Sequence, residues 1–184
     1  MSDDPTTLEE HVIHEGPRFT VRGGRFRRRN GSEVEREWVD APDAVAIVAY
    51  DERQLYLIRQ PREAIGRGDI LELPAGLMDV DGEQPLDTAR RELLEETGLR
   101  ADSWLHATTY FSSSGFTDEQ VHVFLATGLT KVAESDAEGE EGIELVTWPL
   151  ADLGGLIDGN ADAATLIGLQ WLERARQMGG VAGR

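Results

Sequence analysis

The chain has 184 residues, 40% hydrophobic and 29% charged, which is one domain's length with enough apolar material for a core and excludes wholesale disorder. Its 35 acidic residues against 18 basic ones leave a formal net charge of -17, which excludes general binding to nucleic-acid backbones and makes the handling of any anionic ligand depend on cations. There is no cysteine, so disulfides, zinc–thiolate centres and thiol catalysis are excluded as well.

The opening residues, MSDDPTTLEE, are acidic and polar and do not read as a signal peptide. Six of the 17 arginines fall between Arg18 and Arg29 with no acidic residue among them. Around them stand Val21 and Phe26, an Asn30-Gly31 turn signal, then Val34, Trp38 and Val39, which predicts two or three strands over residues 18 to 39. The stretch AVAIVAY, Ala44 to Tyr50, reads as a buried strand, Asp51 to Arg53 as a turn and LYLIR as its hairpin partner. This apolar run is too short to span a bilayer, so a cytoplasmic protein with no membrane partner is expected. DILELP, Asp69 to Pro74, is a further short strand. Leu86, Ala89, Leu93 and Thr97 recur at helical spacing and Gly98 follows as a C-terminal cap, which predicts a helix over about 86 to 97. WLHATTYF, QVHVFLA and IELVTW are strand-like, and AESDAEGEEG, 133 to 142, reads as an exposed acidic loop. Helices are predicted over about 149 to 157 and 161 to 178. Strands mixed with a few helices argue for an α/β or α+β sandwich. Residues 1–43 form an N-terminal strand region in this reading, and 44–184 the main domain.

The chemistry concentrates in the predicted helix 86–97 and its approach. Glu92, Glu95 and Glu96 sit at i, i+3 and i+4 and share one helix face. Arg91, four residues before Glu95, can pair with it along the helix. Such a sequence is usually a solvated face. Here, though, three like charges repel one another, leucines flank them, and a glycine-containing loop leads in. Hard cations such as magnesium or manganese take oxygen ligands, so the cluster is a candidate metal seat.

The stretch Gly76 to Leu99, GLMDVDGEQPLDTARRELLEETGL, resembles the Nudix box: a glycine, a glutamate, then R-E-hydrophobic-x-E-E-x-G-hydrophobic. Gly76, Glu83, Arg91, Glu92, Leu93, Glu95, Glu96, Gly98 and Leu99 occupy its fixed positions. Six residues separate Gly76 from Glu83 where the usual pattern has five. The resemblance extends from about Glu33 to Leu172 and points to the ADP-ribose pyrophosphatase branch, through IRQPR, ELPAGLMD, SGFTDEQVHVFLATGL and NADAATLIGLQWL. Ser114 stands where that branch typically has a proline.

The resemblance implies an α/β/α sandwich with a mixed sheet, preceded by an N-terminal antiparallel strand region that joins a homodimer. It implies hydrolysis of ADP-ribose to AMP and ribose 5-phosphate with Mg2+ or Mn2+. Glu92 and Glu96 are the metal ligands it implies, with the carbonyl of Ala75, and Glu95 as a further ligand or water-holder. Glu83 shapes the site through contacts behind those ligands. The general base falls on Glu141 of the acidic loop, with Glu140 and Glu144 as alternatives. Arg62 and Arg36 match substrate-binding positions, Arg36 serving the partner's site. Asp40 is placed to touch a ribose hydroxyl, and Trp38 either stacks on a base or packs in the sheet. Arg59 is read as structural, and His11, His14, His106 and His122 as incidental. Two alternatives stand beside this reading: hydrolysis of another nucleoside diphosphate sugar, and a non-catalytic ligand sensor. The retained carboxylates and the strongly acidic composition favour the enzyme.

Overall fold

The computed structural model describes residues 4–133, 142–160 and 162–177. They divide into two units, residues 1–43 with 111–120, and residues 44–110 with 121–184.

The first unit is a three-stranded antiparallel sheet of β1 (Thr6–Glu15), β2 (Thr20–Arg27) and β3 (Glu33–Asp40), in that order. β2 and β3 are the predicted hairpin, turning through Gly31 at φ 80°. β1 is an addition that the sequence does not announce. Nine of its ten residues are exposed, so no apolar alternation marks it, and backbone pairing with β2 makes it a strand. The segment 111–120 joins this unit: Val39 N–H donates to Phe116 O at 2.9 Å, and Thr117 Oγ1 donates to Val39 O at 2.8 Å.

The second unit is built on a mixed seven-stranded sheet. It comprises β4 (Ala44–Tyr50), β5 (Gln54–Arg62), β6 (Arg67–Glu72), β7 (Ala75–Leu77), β8 (Leu99–Phe111), β9 (Gln120–Lys131) and β10 (Glu144–Pro149). The main path runs β10-β5-β4-β9-β8, with β6 on β5 and β7 on β4. β4 and β9 are parallel, whereas β5 meets β4, β6 and β10 antiparallel. The helices are α1 (Pro85–Thr97), α2 (Leu153–Gly159) and α3 (Ala163–Gln177).

Alternation along β4 sorts the layers. Val45, Ile47 and Ala49 pack with Ala89 and Leu93 of α1, while Ala46 and Val48 pack with Leu153 and Leu156 of α2 and Leu169 and Leu172 of α3. This is the expected α/β/α sandwich around a mixed sheet. Gly168 lets α3 approach closely, since a Cβ there would lie 2.5 Å from Leu73 Cδ1 and 2.9 Å from Val48 Cγ2. Among the described residues, no helix is long and apolar enough to cross a membrane.

Several boundaries move from their predicted places. β8 starts at Leu99, five residues before the predicted strand, because ladder pairing carries the polar Arg100–Ser103 stretch along. β5 runs on through Pro61, beside a register shift between Gln60 and Arg62, a place in a sheet that tolerates proline. The helix predicted at 149–157 divides into a 3-10 turn, Leu150–Asp152, and α2.

Candidate functional site

α1 begins with Pro85 at its first position and ends at Gly98, whose φ of 69° lets its N–H reach Leu94 O at 2.8 Å. Ala89 and Leu93 are fully buried against the sheet, and this sets the rotation of the helix. Glu92 and Glu96, one turn apart, are thereby turned inward towards β7. Glu96 is 7% exposed, and its Oε2 accepts the Ala75 N–H at 2.9 Å. Glu92 lies directly against Gly76, where an added Cβ would stand 1.9 Å from the Glu92 Cδ. Only glycine leaves that space. Glu95 points outward, its side chain 46% exposed.

Arg91 holds the charges together. Its Nη1 donates to Glu92 Oε1 at 2.7 Å and to Glu95 Oε2 at 3.1 Å, the pairing predicted along the helix. Its Nη2 donates to Glu83 Oε2 at 3.2 Å and lies 3.9 Å from Asp79. Glu83 also accepts the Thr88 hydroxyl at 2.9 Å. Hydrogen bonding to Glu83, with the charge of Glu92 behind it, holds Arg91 firmly protonated. The same bond, aided by Thr88, holds the Glu83 carboxyl below its ordinary range. Glu92 goes the other way: burial pushes its pKa up, Arg91 only partly opposes that, and Glu95 and Asp79 add to it.

A metal seat is therefore not formed in advance by the side chains. Among the described residues, no three histidine, aspartate or glutamate groups gather at metal-holding spacing. Arg91 draws Glu83, Glu92 and Glu95 onto itself, and Glu96 turns to a backbone amide. The donor set still suits a hard divalent ion. It offers oxygens only, Gly76 is open for the Glu92 carboxylate, and that buried carboxylate lacks full compensation.

Behind Ala75 lies a network the sequence does not announce. Glu72, 4% exposed, is held bidentately by Arg62 (Nε to Oε1 2.9 Å, Nη2 to Oε2 2.5 Å) and accepts Gln60 Nε2 at 3.0 Å. The free edge of β6 is closed by side chains from the start of α3. Asn160 Nδ2 donates to Leu71 O at 2.7 Å, and the Leu73 N–H donates to Thr165 Oγ1 at 3.0 Å. Asp162 caps α3, accepting the Thr165 N–H at 2.8 Å. Two signals were there to be read: a glutamate between Leu71 and Leu73 in an apolar strand, and the Asp162-to-Thr165 helix-start spacing.

Arg36, Trp38 and Asp40 belong to the first unit. Arg36 is exposed, donates to Glu35 O at 2.7 Å, and lines a surface pocket of about 400 Å³ with Phe26, Arg28 and Arg29. Trp38 packs on Phe26, ring centroids 5.8 Å apart. Asp40 is held by Arg22 Nε. Glu140 and Glu141 lie outside the described residues. Glu144, on β10, is paired with Arg59 at 3.1 Å. His106 and His122, far apart in sequence, are joined through the Thr109 hydroxyl at 2.9 Å to each.

A family model described as NUDIX domain matches residues 40–168. An ADP-ribose pyrophosphatase of Mycobacterium tuberculosis (strain ATCC 25618 / H37Rv) is 42% identical over 151 residues, 81% of this chain and 72% of that one. An ADP-ribose pyrophosphatase of Bacillus subtilis (strain 168) is 38% identical over 148 residues, 78% of this chain and 79% of that one. A solved structure titled "Crystal structure of ADP compounds hydrolase" superposes with a TM-score of 0.82 at 26% identity, covering 96% of this chain and 97% of that one. With its box residues gathered on the Ala75–Gly76 backbone and the sandwich around them, the chain belongs to the NUDIX domain family.

Proposed function

We propose that this protein hydrolyses the pyrophosphate bond of ADP-ribose, giving AMP and ribose 5-phosphate, with Mg2+ or Mn2+ as cofactor. The observation that carries the reading is the convergence of Glu92 and Glu96 on the backbone of Ala75 and Gly76. Support for the substrate comes from the two relatives named ADP-ribose pyrophosphatase, at 42% and 38% identity.

Glu92, Glu96 and the Ala75 carbonyl would hold the divalent ion, with Glu95 as a further ligand or water-holder. When bound, the ion supplies positive charge that screens the substrate's pyrophosphate and polarises its phosphoryl oxygens. Glu83 acts through Arg91, which it orients towards Glu92 and Glu95. Glu141 serves as the general base that takes the proton of the attacking water. Arg62 binds the substrate's phosphate region, while Arg36, Asp40 and Trp38 contribute recognition from the N-terminal strands, Arg36 at the partner's site. Residues 1–43 act as the dimerising region and 44–184 as the hydrolase domain, in a cytoplasmic homodimer. Val12 and Ile13 of β1 and the nearby Phe19, 52%, 48% and 46% exposed, support an association through these strands.

The test is product analysis with magnesium or manganese over ADP-ribose, GDP-mannose, UDP-glucose and diadenosine polyphosphates, beside a Glu96→Gln control. Preferred release of AMP from ADP-ribose, abolished in the control, is expected. Preference for another nucleotide sugar would move the substrate and keep the chemistry. Failure to cleave any of them would overturn the enzyme reading.

A further inference from the structure

The hairpin of β5 and β6 sets Arg62 directly opposite Arg67. Two cations in that relation repel and weaken a strand pair unless anions offset them. Arg62 is offset by the buried Glu72, which takes its Nε and Nη2 edge. Arg67 is exposed, and among the described residues it has no ion-pair partner.

Both arginines line one groove of about 820 Å³. One wall is the hairpin, with Arg62, Arg67 and Asp69. The other is the end of β10, with Trp148, and the link between α2 and α3, with Asn160 and Asp162. The Trp148 indole N–H is already given to Asp152 O at 3.0 Å, and Asp162 spends one carboxylate oxygen on the cap of α3. What remains on offer is a guanidinium at the hairpin and carboxylate oxygens that accept from hydroxyls. A guanidinium matches a phosphate group, and the acceptors match a polyol. The volume exceeds that of a phosphate alone. Arg62 also ties the groove to the carboxylate centre, since it holds Glu72, three residues before Ala75, whose N–H meets Glu96.

We propose that this groove receives the phosphorylated sugar half of the substrate, with Arg67 as a phosphate-binding residue and Asp69 and Asp162 taking sugar hydroxyls. The proposal rests on the hydrolase reading for the identity of the sugar phosphate, but not for the site. Arg67 lies on an exposed hairpin, so its replacement leaves the fold intact.

The experiment is a titration of the isotope-labelled, metal-free full chain with ribose 5-phosphate, AMP and inorganic phosphate, followed by NMR. Ribose 5-phosphate is expected to shift the resonances of Arg67, Asp69 and Asn160, and to bind more tightly than AMP or phosphate. Arg67→Gln should weaken it about tenfold, the scale of losing one charge-assisted contact, and Arg67→Lys should retain part of the binding. In steady-state assays with ADP-ribose, Arg67→Gln should raise KM more than it lowers kcat. Equal binding by wild type and Arg67→Gln, or stronger binding of AMP at these residues, would overturn the proposal. If the wild type cleaves no nucleotide sugar, the hydrolase reading falls, while the titration still decides the groove.

Discussion

Glu92 carries two opposed demands. Its carboxylate is largely desolvated, and burial pushes its pKa up faster than Arg91 pulls it down. The charged form is therefore a cost to the metal-free fold, and it is tolerated because the proposed chemistry needs an anion there. Glu92→Gln should abolish hydrolysis and yet raise the free energy of unfolding in EDTA at neutral pH by about 1 kcal/mol, and with it the midpoint. A lowered midpoint would show that Arg91 depends on that charge more than burial opposes it.

Asp51 has the opposite sign. Burial acts against its charge, but the N–H groups of Arg53 and Gln54, at 2.7 and 2.9 Å, and the Tyr56 hydroxyl hold the carboxylate below its ordinary pKa. A depressed carboxyl contributes stability that is fully present above its unfolded value, about 3.9, and is lost as pH falls through the lower folded value. Urea midpoints measured from pH 6 to pH 2 should fall less steeply in Asp51→Ala than in wild type at the acid end. At pH 7 the variant should be weaker by about 1–2 kcal/mol, the scale of lost turn hydrogen bonds.

At the scale of elements, the site depends on how β6, β7, α1 and α3 hold one another. β6 has a partner on one side only, and its other edge is closed by Asn160 and Thr165. Three residues beyond Glu72 comes Ala75, whose N–H meets Glu96. Thr165→Val keeps the shape and removes the acceptor for the buried Leu73 N–H, so it should cost about 1–3 kcal/mol in chemical denaturation. Gly168→Ala tests the neighbouring contact. Its new Cβ would meet Leu73 and Val48 below 3.0 Å, and both of those side chains are fully buried. Overpacking of this kind costs about 1–3 kcal/mol, outweighing the better helix propensity of alanine, which is about 1 kcal/mol. A midpoint that rises instead would show α3 free to draw back from the sheet.

At the scale of the whole molecule, the strand unit and the helix-flanked sheet differ in what stabilises them. The second unit encloses two apolar clusters, one on each face of its sheet. The first unit has nine of ten β1 residues exposed and ion pairs along its surface, Arg25 with Glu9 and Glu33, and Arg27 with Glu33. Exposed pairs of this kind add little stability. A three-stranded sheet with so little buried on it gains most from a partner surface. Light scattering should find a species near twice 20.3 kDa, and replacing Val12 and Ile13 by glutamate should shift it towards the monomer. A wild-type monomer would remove the proposed dimer, and with it the role of Arg36 at a partner's site.

Local chemistry determined much of this protein from the sequence by itself. The 3.6-residue period of Leu86, Ala89 and Leu93, with Gly98 behind it, makes α1, and the i, i+3, i+4 spacing of Glu92, Glu95 and Glu96 puts the carboxylates on it. The apolar run of β4 makes the buried strand, and Asn30-Gly31 makes the hairpin. These features need only residues a turn or a strand apart. Tertiary structure decided what joins distant residues. β1 exists through pairing with β2 and has no apolar pattern of its own. Glu96 closes on Ala75 across 21 positions, Arg62 on Glu72 across 10, and Thr165 on Leu73 across 92. Backbone amides and buried charges must find partners wherever the packed sheet places them, and a period along the chain carries no record of that placement.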